Sequence, residues 1–75
     1  MNLSELEIEF ARLDIPKIAY CLQGGLPNES YCISQHNGKW EVYYSERGRK
    51  TALKVFINEE EACTYFLMRI CRQDF

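Results

Sequence analysis

An Asn37-Gly38 pair separates two segments that are typical of β-strands, "SYCISQ" before it and "WEVYYSE" after it. Asn-Gly favours a type I′ turn, because both central residues of that turn need a positive φ and its twist matches that of the flanking strands. The pattern therefore predicts a β-hairpin in which these two segments pair as antiparallel strands.

A third strand, "TALKVFI", is expected after a second chain reversal at "RGRK", where Gly48 supplies a positive φ. Its side chains alternate as a half-buried strand requires. The two alternating sets are Leu53, Val55 and Ile57 on one side and Ala52, Lys54 and Phe56 on the other.

Two amphipathic helices bracket these strands. The first, "SELEIEFARLD", has Ser4 and Glu7 at the spacing of a capping box and is closed by the residue before Pro16. The second follows Asn58, which is expected to cap it with Glu61 at the capping-box position.

These elements predict an α+β fold in a single domain over residues 1–75. The sheet is antiparallel with three or four strands, and the N-terminal and C-terminal helices cover one face of it, in the order α-β-β-β-α. Residues 17–23, "KIAYCLQ", fit either a short first strand or an extended connector. The second face of the sheet is expected to stay uncovered.

Charge and hydropathy favour a cytoplasmic protein. The net charge of −2 argues against a nucleic-acid binder, although it leaves room for a local basic patch. The start "MNLSELEIEF" lacks the basic residues and the long apolar run of a signal peptide, and no apolar stretch is long enough to span a membrane.

Catalysis and metal binding find little support in the sequence. The four cysteines contain no Cys-x-x-Cys pair and are interpreted as small buried hydrophobic residues, with a four-thiolate zinc site as the alternative. His36 has no neighbouring nucleophile. We therefore expect no enzyme, no catalytic residue, no metal and no cofactor.

Strand alternation assigns Trp40, Val42 and Tyr44 to the face beneath the helices. The uncovered face is expected to carry Glu41, Tyr43, Lys54 and Phe56, and the turn beside it to add Glu46, Arg47, Arg49 and Lys50. Such a mixture of aromatic and charged groups is typical of a partner-binding patch. The alternatives are an isolated exposed tyrosine and an ordinary solvated turn.

Three segments together resemble a known family. They are "GGLPNESYCI", "KWEVYYSERGRK" and "FINEEEACTYFL", and they span roughly residues 20 to 68. The pattern is similar to that of very small bacterial immunity proteins, which neutralise polymorphic and contact-dependent growth inhibition toxins.

The resemblance implies a cytoplasmic protein that binds one cognate toxin domain, often a nuclease, and blocks it. The residues expected to contact the toxin are Glu29, Glu41, Tyr43, Glu46, Arg47 and Arg49. Carboxylates could enter a basic active-site cleft, or the arginines could pair with carboxylates beside the cleft and occlude it. Both mechanisms stay open at this stage.

The alternative function is a small module that binds RNA or single-stranded nucleic acid through sheet aromatics and the Arg/Lys turn. Homodimerisation through the uncovered face or an edge strand is compatible with either function.

Overall fold

The computed structural model describes residues 1–26 and 28–71. Along the chain, one α-helix precedes and one follows a four-stranded sheet, which confirms the α+β prediction. The elements are α1 (Leu3–Arg12), a 3₁₀ turn (Lys17–Ala19), β1 (Tyr20–Cys21), β2 (Ser30–His36), β3 (Lys39–Glu46), β4 (Arg49–Phe56) and α2 (Glu59–Cys71).

The sheet has the order β1-β2-β3-β4. β2, β3 and β4 are antiparallel neighbours, as predicted, whereas the two-residue β1 runs parallel to β2 and makes the sheet mixed. The hairpin prediction is confirmed, because Asn37 and Gly38 have φ of 52° and 78°, the signs of a type I′ turn.

Both helices begin with an asparagine cap. At α2 the Asn58 side chain accepts a hydrogen bond from the Glu61 backbone N–H at 2.8 Å, as predicted. At α1 the predicted Ser4 cap is wrong, because Asn2 and Glu5 form a reciprocal capping box two residues earlier. The same spacing occurs in both frames, and the earlier frame lengthens the helix by two residues at its N-terminus.

One hydrophobic core joins both helices to a single face of the sheet, as predicted. Ile33 and Val42 are directly opposed on β2 and β3 and supply the sheet side of this core. Phe10 on α1 contacts Phe66 on α2, with ring centroids 5.5 Å apart. The fully buried members are Leu6, Phe10, Ile33, Val42, Ala62, Cys63, Phe66 and Ile70.

A β-bulge in β4 reverses the predicted orientation of that strand. Tyr44 pairs with Thr51 but Val42 pairs with Lys54, so Ala52 and Leu53 together face the single residue Tyr43. The prediction that Lys54 and Phe56 share a face with Tyr43 is therefore wrong, and both lie on the helix side. One extra residue moves every later side chain to the other face.

The bulge also explains why β4 is exposed. It places Leu53 and Val55 away from the helices, where they are 45% and 52% exposed. Ala52 adopts φ of 53° at this point, a left-handed conformation that costs a residue with a Cβ about 1 kcal/mol.

The second face of the sheet is covered by the chain itself over β2 and β3, where Cys32 and Tyr43 are buried, so the prediction of an uncovered face is wrong for this part and holds only at β4. Residues 22–26 run back across it as a strap. Gly24 is buried with φ of 75°, and a Cβ at this position would lie 2.7 Å from the Ser34 Cβ. Only glycine lets the backbone approach the sheet this closely.

The cysteines are only partly the buried residues that were predicted. Cys32 and Cys63 are buried, Cys21 is partly exposed and Cys71 is exposed. Across residues 1–26 and 28–71, no helix combines the length and the apolar character needed to cross a bilayer.

Candidate partner-binding surface

Tyr43 belongs to the interior, contrary to the prediction that its ring is exposed. The side chain is 1% exposed, and its hydroxyl donates a hydrogen bond to the Gly25 carbonyl at 2.6 Å. Burial, with a smaller effect from Cys32, raises the pKa of Tyr43 to about 12. The tyrosine thus fastens the strap to the sheet and offers no ring to a partner.

Glu41 lies on the same face and is paired within the protein. Its carboxylate accepts a hydrogen bond from the Lys50 ammonium at 3.1 Å. The Lys50 nitrogen also lies 4.7 Å from the centroid of the Tyr43 ring. Because Lys50 offsets its charge, Glu41 is the less available of the predicted carboxylates.

The turn between β3 and β4 gathers three of the predicted residues. Glu46, Arg47 and Arg49 line a cleft of about 300 Å³ together with Thr51. The Thr51 hydroxyl donates to the Tyr44 carbonyl at 3.0 Å and holds this end of β4 against β3. The cleft is therefore built on a supported hairpin end.

Glu29 lies at the same end of the sheet. It directly precedes Ser30, which pairs with Ser45, so Glu29 is level with Glu46 on β3. Burial raises the pKa of Tyr44, and the nearby carboxylates of Glu29 and Glu46 raise it further. We call Glu29, Glu46, Arg47 and Arg49 the turn cluster.

The two arginines of the turn cluster are exposed. Neither guanidinium forms a hydrogen bond or an ion pair within the described part of the chain. Two carboxylates and two unpaired guanidinium groups thus face solvent within one small area. Arginine forks of this kind are suited to bidentate pairing with carboxylates or phosphates.

Arg47 occupies a conformation that its side chain does not favour. Its φ is 52°, equal to that of Asn37 at the same position of the other two-residue turn. Asparagine tolerates the left-handed region, whereas a long side chain there costs about 1 kcal/mol. Local strain that contributes no internal contact is characteristic of functional positions.

The nucleic-acid alternative predicted an exposed aromatic platform on the sheet, and this prediction is wrong. Tyr43 is buried under the strap, and Trp40 packs against the core on the helix side. Tyr44 is half-buried on that same side and contacts the Tyr31 ring at 4.7 Å.

A second cleft was missed by the sequence reasoning. It has a volume of about 510 Å³ between the end of β4 and α2, with Phe56, Tyr65 and Met68 as its apolar residues and Glu60 and Glu61 at its rim. Of these two glutamates, only Glu61 belongs to the predicted helix cap. Phe56 lines this cleft because the bulge turns it to the helix side, and that bulge has no clear sequence signal.

Comparison of the chain with models of known protein families, with curated proteins and with solved structures finds no match. Within the described ranges, no three His, Cys, Asp or Glu residues lie close enough to hold a metal ion. The geometry of the turn cluster and the resemblance of the sequence are therefore the basis for a functional proposal.

Proposed function

We propose that the protein is an immunity protein, an inhibitor that binds and neutralises one cognate bacterial toxin domain, with a nuclease as its target. The turn cluster is the contact surface in this proposal, and the complex forms in the cytoplasm of the toxin producer. The resemblance of the three sequence segments supports the family, and the exposed charges support the place of contact.

The observation that carries the proposal is the conformation of Arg47. The same turn is built at lower cost with asparagine elsewhere in this chain, and the Arg47 guanidinium has no partner within the described residues to compensate. Ala52 has a similar φ because of the bulge in β4, whereas Arg47 lies in a regular two-residue turn, so the cost of keeping arginine there supports a contact outside the molecule.

The charge arrangement favours occlusion over a simple acidic plug. Arg47 and Arg49 are suited to bidentate pairing with carboxylates on the toxin, while Glu29 and Glu46 face basic residues that would otherwise hold substrate phosphates. Such alternating charges select one partner, because a partner with the wrong pattern would place like charges together. Arg47 is the expected anchor, since arginine is enriched among interface hot spots.

Co-expression with the toxic domain encoded beside this gene tests the proposal. The protein should rescue growth and bind that domain in a 1:1 complex, and an Arg47→Ala, Arg49→Ala double variant should lose both. Arg12→Ala is the matched control, because Arg12 is also exposed but pairs with Glu9 on α1.

Isothermal titration separates the outcomes. Loss of an arginine hot spot of about 2 kcal/mol weakens binding about 30-fold, and the control should stay within about threefold of the parent. Failure of the parent protein to rescue growth would refute the proposed function. If the Arg47→Ala, Arg49→Ala variant and the Arg12→Ala control lose the same amount of toxin affinity, the turn cluster is not the contact surface.

A further inference from the structure

Two cysteines lie side by side under the strap. β1 runs parallel to β2 with Cys21 opposite Cys32 in the register, so both side chains point to the same face of the sheet. The Cys21 thiol donates to the Gly24 carbonyl at 3.1 Å and is partly exposed, whereas Cys32 is buried. An accessible thiol therefore neighbours a sheltered one.

The spacing of adjacent strands suits a disulfide. Neighbouring strands lie about 4.8 Å apart, and disulfide-linked residues have Cα atoms about 4.4–6.8 Å apart. A relaxed disulfide also needs Cβ atoms about 3.8 Å apart, closer than directly opposed residues of a regular sheet. A bond here would carry some strain, and strained disulfides are easily reduced.

We propose that Cys21 and Cys32 form a reversible disulfide by exchange with a small-molecule disulfide such as oxidised glutathione. This modification site is independent of the proposed function. β1 contains only two residues, lies at the edge of the sheet and follows a 3₁₀ turn, so few sheet hydrogen bonds oppose a small movement of Cys21 toward Cys32.

The exchange proceeds in two balanced steps. The Cys21 thiolate attacks one sulfur of oxidised glutathione, the S–S bond breaks, and one glutathione thiolate leaves. The Cys32 thiolate then attacks the Cys21 sulfur of the mixed disulfide and releases the second glutathione thiolate. Two electrons pass from the protein thiols to glutathione, and their two protons end on the two glutathione molecules at neutral pH.

The surroundings of Cys32 set the slow step. Burial, together with the neighbouring Cys21, raises the pKa of Cys32 to about 11. Below that pH the Cys32 thiolate fraction rises about tenfold per pH unit, so closure of the disulfide accelerates with pH. Oxidation also removes the donor that Cys21 offers to Gly24, which loosens the strap.

Mass spectrometry of the full chain equilibrated with glutathione redox buffers tests the proposal. A Cys71→Ser background removes the exposed thiol at α2. The expected product is the full chain with a Cys21–Cys32 disulfide, lighter than the reduced chain by two hydrogen atoms. Alkylation of the remaining thiols followed by digestion locates the bond. Added reduced glutathione should reverse it. Closure should speed up about tenfold from pH 7 to pH 8.

Two variants assign the roles of the thiols. Cys32→Ala should stop at a stable mixed disulfide on Cys21, and Cys21→Ser should leave Cys32 unmodified, whereas Cys63→Ala should behave like the parent. Circular dichroism checks that each variant is folded. Absence of the Cys21–Cys32 bond in the parent at every buffer ratio would overturn the proposal without reference to any variant.

Discussion

Replacing Arg47 by asparagine should make the protein more stable and less active at once. The variant keeps the turn but removes a left-handed arginine, whose cost relative to a tolerant residue is about 1 kcal/mol. For a domain of 60–100 residues, 1 kcal/mol raises the unfolding midpoint by roughly 4–8 °C. Loss of the guanidinium should meanwhile weaken binding to the toxin domain about 30-fold.

Thermal unfolding followed by circular dichroism measures the first effect, and titration with the toxin domain measures the second. The reciprocal variant Asn37→Arg is the matched control, because it places arginine at the same position of the other turn. It should lose about 1 kcal/mol of stability and keep full binding. If Arg47→Asn lowers the midpoint, or if Asn37→Arg leaves it unchanged, the strain argument fails.

Two further predictions concern the covered face of the sheet. The Ser45 hydroxyl is fully buried and has no hydrogen-bond partner within the described residues, so Ser45→Ala should leave stability unchanged or raise it by up to about 1 kcal/mol. Ser30→Ala is the matched variant and should lower the free energy of unfolding in urea by about 1 kcal/mol, because it removes the 2.7 Å hydrogen bond to the Ile18 carbonyl. Equal changes in stability in the two variants would contradict both predictions. The Tyr43 phenol has its pKa raised from 10.0 to about 12 by burial, so the unfolded chain loses this proton first and the free energy of unfolding falls between these pH values. A pH titration of unfolding should show a smaller fall in Tyr43→Phe, and an identical profile would refute the assigned environment.

Local signals in the sequence were sufficient for most of the fold. The Asn37-Gly38 turn, the apolar faces of both helices and the cap at Asn58 each depend on neighbouring residues, so their effects can be read from short segments. The helix-side positions of Trp40 and Val42 followed from simple alternation.

The wrong predictions concern two features, the bulge and the strap, that side-chain alternation does not reveal. The bulge at Ala52 inserts one residue opposite Tyr43, and no glycine or proline in β4 marks the place. The strap depends on a contact between Gly24 and Ser34, ten positions apart and on different elements. The close approach of Gly24 to the sheet is thus a long-range packing event.

The candidate surface was predicted in part for the same reason. Glu46, Arg47 and Arg49 belong to one hairpin end, so their proximity follows from the turn. The sequence placed Tyr43 with them by assuming that a face without helices is open. The strap made that assumption wrong, because Tyr43 is buried beneath it and is hydrogen-bonded to Gly25.

The strap covers part of one sheet face with main chain, and this affects which of its positions tolerate substitution. A glycine backbone fills the contact at Gly24, while the side chains of Gln23 and Leu26 project into solvent. Substitutions at these outer positions leave the interior intact, so in the proposed immunity role the exterior could change with the toxin while the scaffold beneath stays the same.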